Sequence, residues 1–500
     1  MRVGREPATI ERVLAVARGE LAVCLDDDPG YRQRLRRSRE ALIRAYTGGA
    51  PVYGVTTGVG SSIGMAVPEG ERAQMPLNLV RMHGCGTGRI LDETEAAAVV
   101  AIRLGALARG YSGVREQVLE RLCALLNARL LPRVPEEGSV GASGDLTPLS
   151  YLAALVVGER EATLGGVPVP AEEGLAALGL EPLVLEPKES LALMNGTSVM
   201  TAIACAAWER GCRVARLAAA VTAAISRAVR GNPAHFDPRI FELKPHPGAR
   251  RAAAWIRHDL GEGLEPGPTP ARLQDRYSLR CAPHAIGVLV DALAESRRIL
   301  EIELGSVDDN PLVDPESGEV LHGGNFYGGH VCLAMDSLKA ALASVADLLD
   351  RQVVLLCGAD TNGGLPADLV AAGSASHHGM KAMQISASAL AAEAAKLTLP
   401  ASAFSRSTEG HNQDKVSMGT IAARDCRRVV ELCETVGAIA LLAACQALDL
   451  RDEPKPARLA ALHQAVRKAA AMLVEDRRQD RDIEHLLALL RQGSLPLGPW

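Results

Sequence analysis

The sequence predicts a mainly α protein built around a long central helix bundle. Apolar residues fill 48 % of the 500 positions while aromatics supply only 3 %. Ala and Leu dominate that apolar share, which favours helices over aromatic and β-branched strands. Apolar positions also recur at steps of three and four over long stretches, the spacing of a helix face.

In chain order, the first strong helix signal is "LDETEAAAVVAIRLGALARG". Asp92 and Glu95 have capping-box spacing, Val100, Leu104 and Leu107 follow one face, and Gly110 supplies a stop. The stretch "GSVGASGDLTP" from Gly138 reads first as a tight loop feeding a helix, with Thr147 as N-cap and Pro148 in the first helical position. "ATLGGVPVP" near Thr163 is one of few strand candidates. Long helical patterns then cover 191–229, 283–304, 329–356, 380–397 and roughly 417–449, where Val429, Leu432, Val436 and Ile439 share a face. Between the first two, "HPGARRAAAWIRHDLGEGLEPGPTPARLQ" turns Pro/Gly-rich and reads as a surface excursion. Small residues on several faces suit close packing inside a bundle or across a subunit interface. The length allows more than one domain. We expect an N-terminal region over 1–190 and a bundle with C-terminal helices over 191–500.

Composition also narrows function. A formal net charge of −5 without a long basic run gives nucleic-acid binding little support. Eleven cysteines, an odd number with no C-x-x-C pair, argue against a disulfide framework or structural zinc and for a reducing cytoplasm. Twelve histidines without H-E-x-x-H spacing argue against a metal hydrolase. The N-terminus lacks an apolar signal core, and the longest uncharged run, 190–208, is interrupted by Asn195, Gly196, Thr197, Ser198 and Thr201. The expectation is a soluble cytoplasmic protein without a membrane span.

The glycine-rich stretch admits further readings. Its G-x-x-G-x-x-G spacing lacks the Lys-Ser/Thr partner of a phosphate loop. If the loop bends hard enough, the amide nitrogen of Gly144 can approach the carbonyl carbon of Ala142, since Gly144 carries no Cβ to block it. Ring closure with loss of two waters would make Ser143 a dehydroalanine within an imidazolone, an electrophile no ordinary side chain provides.

Seven further stretches accompany it in order: "YGVTTGVG" from Tyr53, "NLVRMHGCGTG" from Asn78, "LALMNGTSVMT" from Leu191, "QDRYSLRCAPH" from Gln274, "SVDDNPLVD" from Ser306, "HGGNFYGGH" from His322 and "HNQDKVSMGTIAARD" from His411. Together they resemble the histidine and aromatic amino-acid ammonia-lyases and aminomutases that use a 4-methylideneimidazole-5-one (MIO) group. The resemblance spans about residues 50 to 425. It implies MIO formed autocatalytically from Ala142, Ser143 and Gly144 in the smaller N-terminal region, with no metal or diffusible cofactor. It also implies a small aromatic amino acid as partner, and a homotetramer whose sites borrow residues from several subunits.

The same resemblance assigns roles. Tyr53 would remove the β-proton as phenolate; a free phenol has a pKa near ~10, so donors or positive charge must lower it. Asn195 would bond the MIO oxygen and orient the amine, and Tyr277 and Gln274 would polarise MIO and order the site loop. Arg280 is the choice for the substrate carboxylate, through a bidentate contact that Lys cannot reproduce. Gly60, Asn310 and Phe326 match further pocket positions.

Met82 and His83 occupy the ring-recognition pair. His83 can bond an imidazole or a phenol, and Met82 departs from the family's usual residues while adding a flexible apolar contact. Gln413 stands where histidine ammonia-lyases typically carry glutamate, and "NQD-x-VSMG" looks most like bacterial tyrosine enzymes. The expectation is therefore L-tyrosine to 4-coumarate and ammonia. Histidine ammonia-lyase or tyrosine 2,3-aminomutase activity is the alternative, and a helical scaffold with a dead site is the non-enzymatic one.

Overall fold

The computed structural model describes residues 1–6, 8–261, 273–371, 373 and 375–499. They are mostly helical, as composition predicts. The chain forms two compact units, each assembled from three stretches. The first comprises Met1–Ala206, Arg297–Met335 and Pro400–Arg424; the second comprises Ala207–Ser296, Asp336–Leu399 and Asp425–Trp500. The boundary expected after residue 190 falls inside the first unit.

The long helical patterns appear as Ala282–Leu304, Gly329–Cys357, Lys381–Lys396 and Gly419–Arg451. Glu93–Leu107 begins with the expected capping box, Asp92 accepting from the Glu95 N–H at 2.8 Å and Glu95 accepting from the Asp92 N–H at 3.4 Å.

Three expectations change. The pattern over 191–229 is two helices, Glu189–Met194 and Ser198–Ala228. Between them the Gly196 carbonyl accepts from the Asp145 N–H at 2.7 Å, and the Thr197 N–H goes to Asp308 at 2.8 Å, so both groups leave the helical ladder. Thr147 is not an N-cap, because the helix Leu146–Val156 starts from Asp145 and places Pro148 inside its first turn. The surface excursion begins as a helix, Pro247–Leu260, whose Ala252, Ala253 and Ile256 are buried. Its Pro-rich residues 262–272 lie outside the described residues.

In the first unit, three helices converge. Met75–His83, Leu146–Val156 and Glu189–Met194 pack against one another, which brings His83, the tripeptide loop and Asn195 to neighbouring helix ends. The hairpin Glu161–Leu164/Val167–Pro170 closes through Gly165 and Gly166, with φ of 57° and 87°, the backbone a two-residue hairpin turn requires. Thr87–Ile90 pairs antiparallel with Pro135–Glu137, tying the chain after His83 to the chain before Gly138.

In the second unit the small-residue pattern explains the packing. A Cβ on Gly437 would lie 2.6 Å from Leu217 Cδ2, and one on Gly248 would lie 2.1 Å from the Gly287 carbonyl oxygen. Helices here approach to distances only glycine permits. Among the described residues one helix, Gly419–Arg451, is long and apolar enough to cross a membrane, but 89 % of its most apolar window is buried within the protein.

Candidate active site

The tripeptide lies on the wall of a cavity of about 410 Å³ in the first unit. Tyr53, His83, Ala142, Ser143, Asn195, Asn310, Phe326 and Gln413 all line it. The sequence-predicted residues therefore converge from segments as far apart as the loop at Tyr53 and the turn at Gln413.

The loop turns at two glycines that flank the Ala-Ser pair. Gly144 has φ of 69°, and a Cβ there would sit 2.1 Å from the Gly196 carbonyl oxygen. A side chain at 144 is thus excluded twice, by backbone and by space. Gly141 has φ of 68°, and a Cβ there would sit 2.2 Å from Ser417 Oγ. Asn195 Nδ2 donates to the Ser143 carbonyl at 2.9 Å, polarising the oxygen the imidazolone would retain. Its own Oδ1 is buried without a hydrogen-bond partner. These features fit an MIO group formed in place.

Asp145 anchors the bend from behind. Its carboxylate accepts from the N–H groups of Val199 and Met200 at 3.0 and 2.8 Å, at the open N-terminus of the helix Ser198–Ala228. Thr420 Oγ1 donates to its other oxygen at 2.5 Å. Complete burial still outweighs these donors and raises its pKa to about 6.

A second layer holds the Asn195–Thr197 turn. Arg103, fully buried, donates to the Asn195 carbonyl at 2.9 Å and pairs with Asp308 at 2.8 Å. Asp308 also accepts from Thr197 Oγ1 at 3.1 Å. Its neighbour Asp309 pairs with the buried Lys188 at 2.5 Å. The adjacent aspartates of "DDNP" thus form two buried ion pairs. Removing one partner of such a pair typically costs about 3–5 kcal/mol.

Tyr53 Oη accepts from the Gly60 N–H at 2.9 Å, and the Tyr53 N–H donates to His322 Nε2 at 3.3 Å. Gly60 therefore serves the tyrosine through its backbone. Burial raises the Tyr53 pKa and the Glu409 carboxylate adds to the rise, outweighing the Gly60 bond. That is opposite to the lowering the sequence reading calls for, and within the described residues no cation offsets it.

Glu409 and His322 also line the cavity, although the motif that begins at His322 gave that residue no role and Glu409 lies outside every motif. Glu409 Oε2 is buried without a hydrogen-bond partner and lies where a Cβ on Gly60 would stand. Its one sequence signal is its place four residues before Gln413.

The ring end is defined by hydrogen-bond direction. His83 Nδ1 lies 2.9 Å from the Leu79 carbonyl. A carbonyl only accepts, so Nδ1 carries the proton and Nε2 of neutral His83 is an acceptor. Gln413 Oε1 accepts from Thr408 Oγ1 at 2.8 Å, and its Nε2 donates to Ser143 Oγ at 3.3 Å. Met82 is 57 % exposed and does not line the cavity.

Gln274, Tyr277 and Arg280 are not brought into this cavity. They belong to the second unit and line a separate concavity. There the Arg280 guanidinium lies 4.4 Å over the Tyr277 ring and Nε donates to the Asp275 carbonyl at 3.0 Å. Tyr277 is 70 % exposed.

A helical chain with an Ala-Ser-Gly loop, a half-buried tyrosine and an asparagine on the loop carbonyl is a carbon–nitrogen lyase of the aromatic amino acid type. Residues 8–470 match the family model "Aromatic amino acid lyase", and the chain belongs to that family. It is similar to the histidine ammonia-lyase of Anaeromyxobacter dehalogenans (strain 2CP-C), 40 % identical over 508 residues that cover 98 % of each chain. Among solved structures, tyrosine aminomutase from Streptomyces globisporus superimposes with a TM-score of 0.92 at 37 % identity, covering 99 % of this chain and 97 % of that one. Histidine ammonia-lyase from Trypanosoma cruzi gives 0.90 at 31 % identity, covering 99 % and 94 %.

Proposed function

We propose that the chain removes ammonia from L-histidine to give urocanate, using an MIO group formed autocatalytically from Ala142, Ser143 and Gly144. One observation carries the choice of a polar ring: the cavity wall offers an acceptor at His83 Nε2 and a donor at Gln413 Nε2. A neutral imidazole has one N–H and one lone pair to meet them. The histidine ammonia-lyases among its relatives support this reading over the tyrosine expected from Gln413 alone. The amide at 413 gives up a charge-assisted bond but keeps a donor.

A second reading is L-tyrosine, either deaminated to 4-coumarate or returned as a β-amino acid. A phenol also donates once and accepts, and the similarity to a tyrosine aminomutase supports it. L-Phenylalanine would leave both wall groups unpaired, a cost of about 1–3 kcal/mol for each buried group.

When formed, MIO supplies an electrophile that takes up the substrate amine, splitting one difficult elimination into easier steps. Tyr53 removes the β-proton, held in place by Gly60. Asn195 orients the amine through its unpartnered Oδ1, and the Glu409 carboxylate faces the same positive charge. Asn310 and Phe326 shape the wall. Arg280, with Tyr277 and Gln274, is supplied by another copy of the chain in a homotetramer, where its guanidinium grips the carboxylate and brings the cation Tyr53 needs.

The test is separate incubation with L-histidine, L-tyrosine and L-phenylalanine, reading urocanate, coumarate and cinnamate by absorbance and any β-amino acid by chromatography. Urocanate is expected first. His83→Phe is expected to move preference toward L-phenylalanine by about tenfold or more. An unchanged ratio defeats the ring role of His83.

A further inference from the structure

We propose that Arg160 is a positioning residue for substrate-ring choice: it pins the turn Gly84–Gly86 that follows His83, and through that turn sets where the imidazole meets the ring. The proposal rests on the reading of His83 given above.

His83 is the last residue of the helix Met75–His83, which has no side-chain cap at its start. The residues after it, Gly84, Cys85 and Gly86, have little intrinsic preference of their own. What holds them comes from elsewhere in the same unit. Arg160 Nη1 donates to the Gly84 carbonyl at 3.1 Å. A Cβ on Gly84 would stand 1.5 Å from Arg160 Nη2, so the guanidinium rests directly on the glycine. The other face of the guanidinium story is Tyr151: the Arg160 Cζ lies 4.7 Å from its ring centroid, a cation–π contact. Tyr151 Oη in turn donates to the Gly86 carbonyl at 3.3 Å. One stacked pair thus grips both glycine carbonyls of the turn.

The backbone at Arg160 supports a dedicated role. Its φ is 66°, the left-handed region that glycine occupies freely and other residues uncommonly. Its carbonyl is held by the Ala171 N–H at 2.8 Å. A position whose backbone suits glycine carries instead the longest side chain able to reach Gly84 with a planar fork. Tyr151 sits on the helix Leu146–Val156, whose Leu146 lines the cavity. The clamp therefore references the ring-recognition end to the segment that follows the tripeptide. Arg160 itself does not line the cavity. Its effect passes through His83, whose Nδ1 bond to Leu79 survives only while the last helical turn is intact.

The experiment is kcat/KM of the assembled enzyme for L-histidine, L-tyrosine and L-phenylalanine in wild type, Arg160→Gly, Arg160→Lys, His83→Phe and the Arg160→Gly/His83→Phe double variant. Arg160→Gly is expected to lower kcat/KM for the preferred polar-ring substrate about tenfold, within the range a displaced positioning contact costs. L-Phenylalanine turnover should stay near wild type. Arg160→Lys, keeping charge without the fork, should reproduce most of the shift; it decides the matter alone if Arg160→Gly yields no folded protein. In the His83→Phe background the shift should vanish. An equal loss on all three substrates, no loss, or the same ratio change with His83 gone overturns the assignment. A wild type that prefers L-phenylalanine overturns the reading of the site itself, whereas a polar-ring preference that survives both Arg160 variants overturns only the role of Arg160.

Discussion

Ser143→Ala is expected to abolish deamination, lowering kcat by on the order of 10³-fold or more, the scale seen when a covalent-catalysis group is removed. Two measurements separate this from misfolding. The intact mass of mature wild type should fall two waters short of its sequence, and that deficit should disappear in the variant. Thermal unfolding should change little, because the variant keeps the residue-143 carbonyl that accepts from Asn195 Nδ2 at 2.9 Å, and the hydroxyl it lacks is also missing from a dehydrated wild type. A variant that deaminates any aromatic amino acid at the wild-type rate ends the MIO assignment. On the proposed chemistry, dehydration would remove the Ser143 oxygen to which the Gln413 amide donates and so release that donor for substrate.

Tyr53→Phe is expected to lower kcat/KM by about 10²- to 10⁴-fold, the usual contribution of a positioned general base. The pH profile gives the finer test. The base works as phenolate, so activity rises with pH through the Tyr53 pKa. Burial and the Glu409 carboxylate both raise that pKa, and the Gly60 N–H opposes them. Glu409→Gln removes a negative charge near the phenolate and should move the ascending limb to lower pH. A limb moving to higher pH, or one that persists unchanged in Tyr53→Phe, counts against the tyrosine as base.

The long helices were legible because Ala and Leu at helical spacing describe a bundle interior whatever surrounds it. The break at Asn195–Thr197 was not, because its cause is tertiary: Asp145 and Asp308 take backbone groups that the local pattern assigns to a continuous helix. Pro and Gly around 246–270 disguised the helix Pro247–Leu260 in the same way, its buried alanines outweighing the breakers at its ends. At the site, motif order identified Tyr53, His83, Asn195, Asn310, Phe326 and Gln413, all of which line one cavity. The ion pairs of Arg103 and Lys188 with the aspartates near 308 join residues more than a hundred positions apart, and no spacing rule couples them. Substrate choice was the least legible, since on the proposed reading it turns on which nitrogen of His83 carries a proton. That follows only from the Leu79 carbonyl beside it.

The grip on Asp145 has a temporal side. Its partners Val199, Met200 and Thr420, together with Ser417 Oγ on the Gly141 carbonyl at 3.0 Å, are all synthesised after the tripeptide, the last of them some 275 residues later. A nascent chain still short of Thr420 lacks the last walls of the mould, so a heterocycle formed as proposed would belong to the end of biosynthesis. Maturation is then a receipt for a finished fold, and a polypeptide cut short upstream of that threonine should leave the ribosome chemically plain.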